Sequence, residues 1–109
     1  MAADLIVVYI TAPSEEVGML IANRLLEMRL AACVNIVPAV HSLYIWKGEL
    51  TRDDEVLLIC KTRADLFTDH FVPAVMEVHP NELPEIIALP IVTGSQNYMD
   101  WVRDMTISR

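Results

Sequence analysis

The sequence predicts an α+β domain: one antiparallel sheet with its main helices on a single face, and one hairpin too long for the body that carries it. Three observations lead there. Strand-like and helix-like patterns alternate in the order βαββαβ, followed by one more short helix. The run Ala31–Gly48, AACVNIVPAVHSLYIWKG, is apolar and nearly free of charge, yet neither of its faces is clearly polar. Hydrophobic residues make up 54% of the chain and mean hydropathy is +0.39, more apolar surface than a small soluble domain ordinarily hides by itself.

Each element has its own signal. Leu5 to Thr11 reads as a strand that is apolar on both faces. Pro13 and Ser14 open a helix whose first turn holds Glu15 and Glu16, where negative charge suits the macrodipole. Val17, Leu20, Ile21, Leu25 and Met28 give that helix one buried stripe. A long strand runs from Cys33 to Trp46, Lys47-Gly48 starts a turn, and Leu50 to Asp54 reads as a polar connection. Glu55 to Thr62 is the return strand. Thr62 is placed to cap a second helix, with Asp65 in the capping-box position and Leu66, Phe67, Phe71, Val75 and Val78 as its apolar residues. Pro73 predicts a kink or break, and His79-Pro80 ends the element. Glu85 to Val92 is a fourth strand, and Pro90 near its end marks an edge or a bulge. Ser95 is the candidate N-cap of a final helix with Tyr98, Trp101, Val102 and Met105 on its apolar face.

Two βα crossovers flanking a hairpin make the ferredoxin-like, split-βαβ pattern, in a single domain spanning residues 1–109. Right-handed crossovers place both main helices on one face of the sheet. The other face should be polar if water covers it. Instead, Val34, Ile36 and Val40 alternate with Val37, Ala39, Leu43 and Ile45, so both faces are apolar. Length adds a second argument. A strand from Cys33 to Trp46 spans roughly 45 Å, against a diameter of roughly 34 Å for a compact domain of this size. The hairpin must bend at Pro38 or project, and a projecting edge invites pairing with a neighbour. The expectation is an obligate oligomer.

Composition excludes several classes. A net charge of −7 argues against a nucleic-acid partner. No apolar stretch approaches the ~20 residues of a spanning helix, and no basic residue precedes the first apolar run, so neither membrane insertion nor a signal peptide is expected. Cys33 and Cys60 lie in strand patterns and read as free thiols, which suits the cytoplasm. No catalytic assembly stands out. Neither Cys has a base beside it in any motif, Gly48 and Gly94 are isolated, and Asp53, Asp54 and Glu55 read as solvated charge. The chain is not expected to be an enzyme.

Ordered blocks along the chain resemble the CutA family of divalent-cation tolerance proteins. They are TAPSEE, RLAACVNIVPAVHSLYIWKGEL, DEVLLICKT, HPNELPEIIALPI and YMDWV. The resemblance implies a homotrimer, similar in architecture to the PII signalling proteins, that binds divalent metal, copper in particular, and serves metal-ion tolerance. In the copper site proposed for some members, a Cys ends the first strand and a His precedes the His-Pro pair. Ile10 and Val78 stand at those positions here, and Asn81 replaces a common Tyr; only Glu85 remains. His79 and Glu85 are therefore the candidate metal pair, since imidazole and carboxylate suit divalent transition metals. Trp46, Lys61, Glu85, Tyr98 and Trp101 are candidates for a small-molecule pocket between subunits: aromatic walls with one cation and one carboxylate. That pocket also supports the alternative reading, a PII-like regulatory trimer that binds a small molecule or a partner protein.

Overall fold

A computed structural model of the chain describes residues 4–107. Four strands form one antiparallel sheet in the order β2-β3-β1-β4, with β1 Leu5–Ala12, β2 Cys33–Trp46, β3 Glu49–Arg63 and β4 Ile86–Pro90. Helix α1, Glu15–Glu27, joins β1 to β2. A 3-10 turn at Ala64–Leu66, a π turn at Phe67–Phe71 and helix α2, Val72–Met76, follow β3. Helix α3, Gln96–Met105, follows β4.

Alternation in the strands sets the two faces. Ile6, Val8, Ile10 and Ala12 of β1 and Val56, Leu58, Cys60 and Thr62 of β3 are buried toward the helices. They share one core with Ile21 and Leu25 of α1, Phe71 of the π turn and Ala74 and Val75 of α2. Both main helical segments therefore cover the same face, as expected. Ser14 caps α1, its Oγ accepting the Val17 N–H at 3.2 Å. The buried stripe of α1 centres on Gly18, Ile21, Ala22 and Leu25, whereas Leu20 is 52% exposed. Gly18 is the reason. A Cβ there would lie 3.1 Å from Val56 Cγ2 and 3.3 Å from Leu58 Cδ1, so the helix rests its glycine directly on β3 and turns Leu20 outward.

The hairpin is longer than the sequence patterns indicate. Lys47 and Gly48 both have positive φ, 50° and 82°, which makes a two-residue turn that keeps the strands in register. β3 therefore starts at Glu49, and the stretch read as a polar connection is ladder: Leu43 pairs Arg52, and Ser42 pairs Asp53. Its polar residues suit a strand that has left the apolar body. At Pro38 the strand does bend: the register shifts between Val37 and Val40, with Ala39 at φ 65°. The hairpin nonetheless projects, giving extents of 44 × 26 × 24 Å and a radius of gyration of 14.4 Å, above the ~13 Å of a compact domain this size.

Two further readings change. Thr62 does not cap a helix. It is a fully buried β3 residue whose Oγ1 donates to the Leu30 carbonyl at 2.5 Å, tying the end of β3 to the turn before β2. The segment after β3 is not one helix either. Pro73 has no N–H to offer the carbonyl four residues back, and the chain takes a wider π turn before α2 forms. Phe67 and Phe71 stack across that turn, centroids 5.9 Å apart. β4 is an edge strand, as Pro90 requires. Ser95 does precede α3, but its side chain makes no cap bond. Arg63 instead fixes the other end of α3, donating to the Arg103 carbonyl at 2.8 Å and to Thr106 Oγ1 at 3.0 Å.

The sheet face opposite α1 and α2 carries Val7, Tyr9, Val37, Leu57, Ile59, Ile87 and Leu89 together with Thr11, Asn35 and Lys61, and α3 packs over its Leu5–Arg63 end. Val37, Ile87 and Leu89 are 40%, 51% and 43% exposed. The outer edge of β2 has no strand beside it among the described residues.

Candidate functional site

The projecting hairpin leaves the body where β1 ends. Beyond Ala12, β3 continues without its β1 partner, and the loop before β4 crosses the gap. Between them lies a cavity of about 630 Å³, within the range that small ligands occupy. One wall is the hairpin: Tyr44 and Trp46 from β2, Asp53 and Glu55 from β3. The opposite wall is the loop, with Asn81, Glu82, Leu83 and Glu85. His41 and Leu43 reach the rim. Among the described residues, no Lys or Arg lines it.

The local geometry follows from the register. Tyr44 and Asp53 are diagonal neighbours across the ladder, and the Tyr44 hydroxyl donates to Asp53 Oδ2. That hydrogen bond, then desolvation and the charges of Asp53 and Glu55, pushes the Tyr44 phenol above its ordinary pKa. His41 lies directly across from Asp54, with Nδ1 2.8 Å from Oδ1. The Lys47 ammonium stands 5.8 Å from the centroid of the Trp46 ring, a cation–π contact at the hairpin tip.

His79 anchors the loop. It is 8% exposed, its Nε2 sits 2.8 Å from the Thr11 carbonyl, and the Asn81 N–H donates to Nδ1 at 3.1 Å. Those partners assign the proton to Nε2. In the lone chain both nitrogens are therefore taken, and Nδ1 reaches a metal only if Asn81 lets go. Glu85 lies on the cavity wall. Among the described residues, no three His, Cys, Asp or Glu side chains come close enough together to hold a metal ion within one chain.

The five pocket candidates fall into two groups within the one chain. Trp46 and Glu85 line the hairpin-root cavity. Lys61 and Tyr98 meet at Cys33, near the start of β2, and Trp101 lies beside Tyr98. Lys61 Nζ donates to Asn35 Oδ1 and lies 4.0 Å from Cys33 Sγ. Burial and the neighbouring Cys33 raise the Tyr98 pKa, and the Tyr98 and Trp101 rings are 5.6 Å apart. One group is acidic without a cation, and the other presents a lysine without a carboxylate. The second thiol, Cys60, faces the core, where burial pushes its pKa up to about 12. Tyr44, Asp53, Glu55 and Glu82 were missed as site residues. Pairing the strands outward from the Lys47-Gly48 turn would have placed Ser42 across from Asp53 and brought Tyr44, Asp53 and Glu55 to one place, whereas nothing local in the sequence brings Glu82 there.

The comparisons with known proteins decide the family. Residues 6–105 match the CutA1 divalent ion tolerance protein family. The chain belongs to the CutA1 divalent ion tolerance family. It is 51% identical over 104 residues to the divalent-cation tolerance protein CutA of Thermus thermophilus, covering 92% of this chain and 96% of that one. It is 46% identical over 104 residues to the chloroplastic protein CutA of Arabidopsis thaliana, covering 93% of this chain but 55% of that one. The chain thus spans about half the length of that plant relative. In structure it is similar to CutA1 from Oryza sativa, with a TM-score of 0.94 and 42% identity over 99% of this chain and 98% of that one. It is also similar to the periplasmic divalent cation tolerance protein CutA from Archaeoglobus fulgidus, with a TM-score of 0.89 and 40% identity over 93% and 97%. These names describe tolerance of divalent cations, not a catalysed reaction. No helix among the described residues is long and apolar enough to cross a membrane.

Proposed function

We propose that this CutA1 chain is a ferredoxin-like subunit of a homotrimer that binds a divalent metal ion, copper in particular, and serves metal tolerance in the cytoplasm. It acts by binding rather than by catalysis. The observation that carries this reading is the split of the pocket residues into two complementary groups on one subunit. Trp46 and Glu85 lie on an anionic cavity, while Lys61, Tyr98 and Trp101 lie on another part of the surface. Copies of the chain packed by the sheet face opposite α1 and α2 would hide Val37, Ile87 and Leu89, and would offer one subunit's cationic group to the next subunit's cavity.

The donor set suits the ion. Glu85, Glu82, Glu55 and Asp53 supply hard oxygen, and His41 adds imidazole at the rim, a mixture acceptable to Cu²⁺. Among the described residues no shell closes within one chain, so a neighbouring subunit would complete it. Glu85 is the ligand we assign first. His79 stands behind the loop and joins the pair only by releasing Asn81. Calorimetric titration of chelator-treated protein with Cu²⁺ tests the assignment. Saturable binding that Glu85→Ala abolishes supports it. Equal loss in His79→Ala with the fold intact makes His79 a ligand as well. Binding unchanged in both variants removes the site.

A further inference from the structure

Cys33 and Lys61 are partners across the β2–β3 ladder, and their side chains meet on the sheet face opposite α1 and α2. The Lys61 ammonium lies 4.0 Å from Cys33 Sγ and also donates to Asn35 Oδ1. The Tyr98 hydroxyl bonds the same sulfur from α3. Among the described residues no carboxylate pairs with Lys61, so its charge has no ion-pair role within the chain. Neither residue lines the hairpin-root cavity. Both are half-buried, open to an oxidant little larger than water. Cys60, next to Lys61 in the sequence, points the opposite way into the core. A thiol and an amine are thus held together by strand register. Closing the gap between them takes only rotation within the flexible Lys stem, with no movement of the backbone.

We propose that hydrogen peroxide joins Cys33 to Lys61 through a reversible sulfur–nitrogen bond, a cross-strand sulfenamide. The Cys33 thiolate attacks one peroxide oxygen. The O–O bond breaks, hydroxide leaves, and the sulfur, oxidised by two electrons, becomes a sulfenic acid. The Lys61 ammonium gives a proton to that hydroxide, making water. The freed amine attacks the sulfenic sulfur, the S–O bond breaks, and the departing hydroxyl takes a proton from the nitrogen and leaves as a second water. One peroxide is reduced to two waters, and no other reactant is consumed. A thiol reductant reverses the bond by attacking the sulfur and expelling the amine, and a second thiol then frees Cys33. Capture by Lys61 keeps the sulfur from sulfinic acid, which thiols do not reverse. The bond also deletes the Lys61 charge, the cation that the proposed assembly offers to the next subunit's cavity. Oxidation and subunit packing would then act through one side chain.

The test is mass spectrometry of the reduced, chelator-treated, intact protein after exposure to hydrogen peroxide, followed by tryptic digestion without reductant. The expected product is lighter than the starting protein by two hydrogen atoms. Its digest yields residues 30–47 joined to residues 53–63, with the chain uncut after Lys61. Dithiothreitol should restore the starting mass. A Cys33–Cys60 disulfide has the same mass but leaves Lys61 open to trypsin. Cys60→Ala should therefore keep the product, while Cys33→Ser and Lys61→Arg abolish it, and in Lys61→Arg the sulfur should run on to sulfinic acid. Loss of the product in Cys60→Ala, its persistence in Lys61→Arg, or a wild-type protein that only gains oxygen or does not react overturns the proposal.

Discussion

Replacing Ile87 by Glu probes the sheet face opposite α1 and α2, where a lone chain should tolerate the change and an assembly should not. Ile87 lies on β4 across from Tyr9 and is 51% exposed. In a lone chain a carboxylate there stays in contact with water, and the core behind the sheet is untouched, so the fold should survive. In an assembly that covers the face, the substitution acts twice. It removes the burial of the remaining half of an Ile side chain, about 1 kcal/mol of the ~1.5–3 kcal/mol for full burial. It also places an unpaired carboxylate at an apolar contact, which costs at least another ~2 kcal/mol. The sum of about 3 kcal/mol per subunit weakens each contact by about two orders of magnitude. Sedimentation velocity together with far-ultraviolet circular dichroism reads both parts. The expected result is a smaller species with wild-type secondary structure. A variant that sediments as the wild type does, at the same low concentration, refutes the idea that this face is covered.

Other expectations follow from single positions. Phe71 is fully buried at the centre of the core, so Phe71→Ala should cost about 3–5 kcal/mol in denaturant unfolding. Gly18→Ala should destabilise by roughly 1 kcal/mol. The close approach to Val56 and Leu58 costs more than the gain in helix propensity, and a rise in thermal midpoint would contradict the tight packing of α1 on β3. Cys60 has a folded pKa of about 12 against a reference of 9.0. A raised acid pKa contributes stability that is complete below pH 9.0 and is lost as pH climbs toward 12, up to about 4 kcal/mol from this group. Cys60→Ala should therefore flatten the alkaline limb of the stability profile in that window. In native protein at pH 8, Cys60 should also resist alkylation until the chain unfolds.

The parts of the fold that sequence reading captured are those with strict periodicity against one environment. β1 and β2 begin where expected, Ser14 caps α1, Pro38 bends its strand and Pro90 lies on an edge. The failures share a physical cause: a residue's role was decided by something distant in sequence. Leu20 fits the helical stripe but loses its place to Gly18, because the sheet approaches the helix there. Thr62 has the chemistry of a cap, yet the Leu30 carbonyl needed a donor inside the core. Leu50 to Asp54 looked like loop because its residues are polar, but a ladder far from the apolar body has no reason to be otherwise. That error also hid the candidate site. Trp46 and Glu85 were visible as isolated candidates, while Tyr44, Asp53 and Glu82 acquire meaning only when the strands pair out to Gly48 and the loop before β4 crosses beside them. His79 was singled out by type as a candidate metal ligand; its two backbone partners belong to the fold and could not be read from the sequence.

The most direct test of the central claim is native mass spectrometry of chelator-treated protein after addition of Cu²⁺. The account predicts a homotrimer carrying copper in saturable stoichiometry, with the metal lost and the trimer kept in Glu85→Gln. A monomer, or a trimer whose copper content is the same with and without the Glu85 carboxylate, would contradict it.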